Sequence, residues 1–481
     1  MDELIWAPAW QVRERIVSGE ISAVDVVEAA LARLAAVEPK LHAFRTVCAD
    51  QARAAARQAD DMVKNCLPLG PLHGVPVVLK DEPWVKGVPA TAGSLLFEDF
   101  IPAEDGTLAA RLRAAGAIII GMTNVPEFYT WSRTANRLGP ETLNPWDTHR
   151  SPGASSGGTG AALASGVAPL GIGSDGGGSI RIPSAACGLV GLFPTPGRIP
   201  DTGSFSYARV GSMGPMARDV RDLAIAMDVL SGPDGIDPRP CPPAREFAAS
   251  LDDGVDGMRF LWSADYGHIE VDSAVAAQVG STAARLSEAG AVVENSVSEI
   301  SVKTVFKIED SWPWFVNFMR GESAYGNFAP RYTNSPDFVE RCLAPENFER
   351  LMEYNQAGMK TPPVTREDYE AAVNWVSELG RKIDALFETY DAILSPTLPV
   401  VAPLLPEGMA DPYPSFCCGT YFTAIANLLM LPALSFPAGL VNGMPVGLQI
   451  MGRHGREDEV LRIARALERI QPFDAHPDLL C

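Results

Sequence analysis

Two short stretches hold the residues best suited to chemistry. "SPGASSGGTGAALASGVAPLGIGSDGGGSIRIPSA", residues 151–185, carries ten glycines and five serines between Gly153 and Ser179. "GVPVVLKDEP", residues 74–83, is an apolar run that closes on Lys80. A serine hydroxyl attacks a carbonyl carbon when a base takes its proton and donors meet the charge that builds on oxygen. Gly176, Gly177 and Gly178 precede Ser179, and successive N–H groups without Cβ atoms converge into a nest for negative charge. Six histidines in the whole chain offer a His-based mechanism few candidates, and no SxxK motif occurs. Burial can strip the proton from a lysine, and Lys80, at the end of the Val75–Leu79 run, suits that role. Two plainer readings stand beside this one. Lys80 could snorkel and pair with Asp81, and Ser179 could simply cap a tight glycine turn.

Other patterns in the glycine-rich stretch compete. "GASSG" spells GxSxG, the nucleophile elbow, which would make Ser155 the nucleophile with a later Asp and His. His268, His454 and His476 are the candidates, but none lies in a triad-like context and no HGGG stretch is present. A P-loop is excluded because no lysine lies between Arg150 and Arg181. "GIGSDG" spells GxGxxG, yet "GGSIRIP" follows it where a dinucleotide site needs a long amphipathic helix. A flexible linker is excluded by "AALASGVAPLGIG", a small-residue helix followed by an apolar strand.

These residues need a frame. "ISAVDVVEAALARLAAVEPKLHAF" predicts a helix with Ser22 and Asp25 as a capping box, Val27, Ala30, Leu31 and Leu34 on one face, and Pro39 ending the run. Lys80 closes a strand, and Ala117–Met122 reads as a second, buried one. Strand and helix patterns then alternate through "MRFLWSADY", "VDSAVAAQVGSTAARLSEAGAVVENS", "YDAILSPT", "MPVGLQIMG" and "REDEVLRIARALERI". Such alternation predicts an α/β fold, a large mixed or parallel sheet with helices on both faces. Residues 201–250, rich in Pro and Gly, read as a loop, and residues 301–365 are dense in aromatics without clean periodicity.

Composition narrows the partners. A formal net charge of −20 opposes nucleic acid and anionic membranes. Eight cysteines show no CxxC pair, and no HExxH occurs, so neither a disulfide framework nor a metal site is expected. The early acids of "MDELIWAPAW" do not read as a signal peptide. With no apolar run of membrane-spanning length, the expectation is a cytoplasmic chain.

The motifs "GVPVVLKD", "PGASSGGTGAALASG" and "GSDGGGSIRIPSAACGLVGLFPTPGR" together resemble the amidase signature family, and "GMTNVPEF", "LSPTLPV" and "GMPVGLQIMG" extend the resemblance along nearly the whole chain. It implies one domain over residues 1–481, with a signature core at about 71–200. The implied machinery is a Ser–cisSer–Lys triad with Ser179 as nucleophile, Ser155 as bridging serine after a cis peptide, and Lys80 as base. The N–H groups of Gly176, Gly177, Gly178 and Ser179 would form the oxyanion hole, with Ser156, Asp175 and Arg181 in support. No cofactor and no metal are implied. The chain departs from the pattern at Ala154 (usually Gly), at Gly176 (usually Thr) and in "KDEPW".

Arg181-Ile182-Pro183 looks more like stand-alone amidases than the Arg-Gln-Pro of glutamine-using amidotransferase subunits. A broad amidase acting on a small aryl or alkyl amide, anilide, carbamate or ester is therefore the leading expectation. Tyr129, Trp131, Ala154 and the aromatic segment 301–345 would touch substrate, in a monomer or homodimer. The alternatives are a His-dependent esterase and a glutamine amidotransferase-type subunit.

Overall fold

The computed structural model describes residues 2–129, 132–205, 209–267, 269–295, 365–405 and 420–479. Within them, the alternation read from the sequence becomes a sheet of eleven strands. In chain order these are β1 (Phe44–Val47), β2 (Pro76–Lys80), β3 (Ile118–Thr123), β4 (Leu170–Asp175), β5 (Val190–Phe193), β6 (Ser212–Ala217), β7 (Arg259–Trp262), β8 (Val292–Asn295), β9 (Ala392–Pro396), β10 (Ala433–Val441) and β11 (Met444–Gly452). Across the sheet the order is β1-β3-β2-β4-β6-β5-β10-β11-β9-β7-β8. The pairs β2/β3, β2/β4, β7/β8 and β7/β9 are parallel, and the other neighbours run antiparallel. The fold is the expected α/β architecture, with a large mixed sheet flanked by helices.

Continuous apolar runs form the central strands because both sheet faces are covered. All five residues of β2 and all six of β3 are buried. Val77, Leu79, Ile119, Leu170 and Ile172 pack in one core with Val27, Leu34, Leu163 and Leu223 from the helices. Each such side chain contributes about 1.5–3 kcal/mol when fully buried. No helix among the described residues is long and apolar enough to cross a membrane.

Two expectations change. The helix Ala23–Leu41 starts as predicted, with Ser22 Oγ accepting from the Asp25 N–H at 3.0 Å. It runs through Pro39, however, and ends at His42 in the left-handed region (φ 52°). A proline so near the C-terminus loses one intrahelical bond without stopping the last turn. Residues 201–250 are not all loop either, since they contain β6 and the helix Val220–Leu230. The sequence of β6, "SMGPMA", has poor strand propensity, yet its registers with both β4 and β5 place it mid-sheet. Packing between two strands outweighs its composition.

Candidate active site

Strands β2 and β4 lie parallel in the register Val77↔Leu170, Val78↔Gly171 and Leu79↔Ile172. Their carboxyl ends therefore deliver Lys80, Ser174 and Asp175 to one edge, where open α/β sheets commonly place ligands. The helix Gly157–Ala164 packs against both strands and brings Ser155 and Ser156 to that edge from its N-terminus. Gly173 makes room for the pair, since a Cβ there would sit 2.7 Å from Ser156 Oγ.

Lys80 is fully buried. Its Nζ donates to Ser155 Oγ at 2.8 Å and to Ser174 Oγ at 2.6 Å, with the Tyr129 ring centroid 4.6 Å away. Its acidic neighbour is Glu82, whose Oε2 lies 3.3 Å from Nζ, not Asp81. Asp81 bonds instead to the N–H and hydroxyl of Thr91, and burial pushes its carboxyl up to about 6 despite those bonds. Burial drives the Lys80 ammonium below its ordinary value, against the opposing pull of Glu82 and Asp175. The snorkelling alternative is excluded, because the side chain has no exposed surface.

The peptide between Ala154 and Ser155 is cis, as the resemblance implies. Ser156 ties the two serine segments together. Its N–H donates to Ser179 O at 3.2 Å, and its Oγ donates to Ser174 O at 3.2 Å. Asp175 organises the loop that carries Ser179, accepting from the N–H groups of Gly178 at 2.6 Å, Ile180 at 3.1 Å and Arg181 at 3.4 Å. The Arg181 guanidinium grips the same carboxylate twice at 3.0 Å and reaches Thr423 O, Gln449 Oε1 and Asn427 Oδ1. Burial works to raise the Asp175 carboxyl, but Arg181 and Asn427 overcome it and hold the group below the usual range.

One expected oxyanion donor is thereby spent. The Gly178 N–H points at Asp175, and the φ of +128° that turns it there suits only glycine. Gly176, Gly177 and Ser179 keep N–H groups with no partner among the described residues. Ser179 itself is half-buried, while Ser155 is 1% exposed. The edge thus presents a partly open hydroxyl beside unpartnered N–H groups, with a buried hydroxyl and a destabilised ammonium behind it.

Other expected residues fall out differently. Tyr129 does reach the site, its hydroxyl donating to Asp81 O at 2.9 Å. It belongs to an aromatic cluster with Trp84, Phe97, Phe100, Phe128 and Phe205. Ala154 is buried to 1% exposure and presents almost no surface to a ligand. His454 is exposed and His476 stacks on Trp6 at 3.8 Å, so neither serves Ser155. Trp131, His268 and residues 301–364 lie outside the described residues.

Sequence reading overlooked Glu82, Ser174, Thr423, Asn427 and Gln449. No strand alternation pointed to Glu82: β2 ends at Lys80, and a tight turn in which the Glu82 N–H donates to Lys80 O at 2.6 Å carries the chain from one to the other. The last three come from distant segments and left no local mark.

The amidase family model matches residues 25–461. The chain belongs to the amidase signature family. The A subunit of glutamyl-tRNA(Gln) amidotransferase from Chloroflexus aggregans is 34% identical to it, over 100% of this chain and 99% of that protein. Among solved structures, 6-aminohexanoate cyclic dimer hydrolase superposes with a TM-score of 0.84 at 28% identity, covering 99% of both chains. The A subunit of the Thermotoga maritima glutamyl-tRNA(Gln) amidotransferase gives a TM-score of 0.76 at 28% identity, covering 94% of both.

Proposed function

We propose that this chain hydrolyses an amide C–N bond through an acyl-enzyme, with Ser179 as nucleophile, Ser155 as relay and Lys80 as base. The observation that carries the reading is the fully buried Lys80 amine in a 2.8 Å contact with Ser155 Oγ. Deprotonated, Lys80 accepts the Ser155 proton across that contact while Ser155 takes the proton of Ser179. The Ser179 oxygen bonds to the carbonyl carbon, and the N–H groups of Gly176, Gly177 and Ser179 receive the oxyanion. A single such donor contributes roughly 2.7–4 kcal/mol in other hydrolases. Ser155 then hands its proton to the leaving nitrogen, and water cleaves the ester.

For the substrate, full-length likeness to the amidotransferase chains favours glutamine, with ammonia released beside partner subunits. This reading goes ahead of the stand-alone amidase expected from Arg181-Ile182-Pro183 and the aromatic segment 301–345. A second reading keeps some support. The aromatic cluster at Tyr129 suits apolar amides, anilides or carbamates, and the superposition on the cyclic dimer hydrolase is closer than that on the Thermotoga maritima chain.

The test measures turnover of glutamine, a nitroanilide and a carbamate by the purified chain, with peptide mapping of a fluorophosphonate label. Ammonia from glutamine alone supports the first reading, and anilide or carbamate turnover without glutaminase activity supports the second. A label on Ser155 that depends on His454, or no label at all, overturns both.

A further inference from the structure

Glu82 has no part in the relay just described, yet it occupies the interior of the site. Its side chain is fully buried, and Oε2 lies 3.3 Å from Lys80 Nζ. Ser174 bridges the two, receiving a hydrogen bond from Lys80 at 2.6 Å and donating to Glu82 Oε2 at 2.5 Å. Glu82 Oε1 is buried with no hydrogen-bond partner. A buried carboxylate oxygen left unbonded is destabilising, so this group is poorly explained as a structural tie. A carboxylate kept for its charge explains it better.

We propose that Glu82 is a positioning residue for the reaction, the anion that supports the ammonium formed on Lys80 each time the relay runs. The inference rests on the triad reading above. When Ser179 attacks, its proton passes to Ser155 and that of Ser155 passes to Lys80, whose nitrogen becomes cationic with no exposed surface. Glu82, with Ser174 holding it in place, meets that charge at 3.3 Å. As the C–N bond breaks, Lys80 returns a proton to Ser155, Ser155 protonates the departing nitrogen, and Glu82 is left as it began. The carboxylate therefore makes a desolvated amine a stronger base than burial alone would permit.

Other charged groups face the pair. Asp175 acts on Lys80 but is neutralised by Arg181. Asp201 acts on Glu82 but is held by Arg239 at 2.8 Å. Asp81 follows Lys80 directly and is bonded to Thr91. The Tyr129 ring covers the amine. Glu82 is the one of these acids within ion-pair distance of Nζ.

The test needs no knowledge of the substrate, because the rate of fluorophosphonate labelling reports how well the nucleophile is activated. Rates are measured against pH for wild type, Glu82→Gln, Glu82→Asp and Ser174→Ala, with circular dichroism as a check on folding. An opposite charge at this range moves a partner's pKa by about 1–3 pH units. Removing it makes Lys80 less able to hold a proton, so the acidic limb of the Glu82→Gln profile should move to lower pH by about one unit or more. The plateau rate should fall roughly tenfold, since a weaker base pulls less effectively. Glu82→Asp should return the limb towards the wild-type position. An unmoved limb in folded Glu82→Gln, or one displaced to higher pH, overturns the proposal. If Glu82→Gln does not fold, Ser174→Ala decides, because loss of the bridge should also lower the limb and an unchanged profile overturns the idea. Mapping separates the two levels. A wild-type enzyme unlabelled at Ser179 sinks the triad reading, while labelling at Ser179 with an unmoved limb sinks only the role of Glu82.

Discussion

Arg181→Lys keeps a positive charge in the core and should nevertheless be severe. The guanidinium makes five hydrogen bonds, two to Asp175 and one each to Thr423 O, Gln449 Oε1 and Asn427 Oδ1. An ammonium has three donors and cannot reproduce a planar fork. At least two of the five bonds are therefore lost from a fully buried site. Each buried polar group left unsatisfied costs about 1–3 kcal/mol, so the expected loss of stability is roughly 2–6 kcal/mol. The stacking of Arg181 on the Phe193 ring, 5.0 Å away, is weakened as well. Damage should also reach the chemistry, because Asp175 fixes the N–H groups of Gly178, Ile180 and Arg181 around Ser179. Urea unfolding followed by tryptophan fluorescence gives the stability, and fluorophosphonate labelling under native conditions gives the nucleophile's reactivity. A variant whose unfolding midpoint and labelling rate both match wild type would refute the reasoning that Arg181 organises this loop.

Two glycines of the nest should respond in opposite ways to alanine. At Gly178 a Cβ would collide with Thr423 Oγ1, lie 2.7 Å from Ile182 Cδ1 and meet an unfavourable φ of +128°. Gly178→Ala should lose at least ~1–3 kcal/mol and most labelling. At Gly176 a Cβ meets nothing within 4 Å, so Gly176→Ala should melt with the wild type in differential scanning calorimetry. The labelling rate should rise with pH as Lys80 loses its proton. Because the folded-state value is driven below the ordinary 10.5, the midpoint should fall below pH 10.5, and a midpoint at or above it would contradict a desolvated base.

Much of the site was legible because its signals are local. The chain Gly176-Gly177-Gly178-Ser179 and the apolar strand ending at Lys80 mark the groups of the proposed chemistry in consecutive residues. Less legible were the groups that tune them. Asp81 is the acid adjacent to Lys80 in sequence, but it bonds to Thr91, and the tight turn from Lys80 to Glu82 is what brings Glu82 to the amine. Gly178 looked like one donor among four, and only the position of the Asp175 carboxylate reveals that its N–H is already taken. Strand β6 was hidden by Gly214 and Pro215, whose poor local propensity is overruled by pairing on both sides.

By itself the sequence determined the α/β class, the strand that carries Lys80 and the serine-bearing turns, since each follows from hydrophobic period and glycine placement over a few residues. Only the folded chain decided which acid stands beside the lysine, which amide hydrogens remain free, and how Asn427 and Gln449 come to brace Arg181. Those choices depend on angles and distances between segments far apart along the chain, and short-range chemistry holds no record of them.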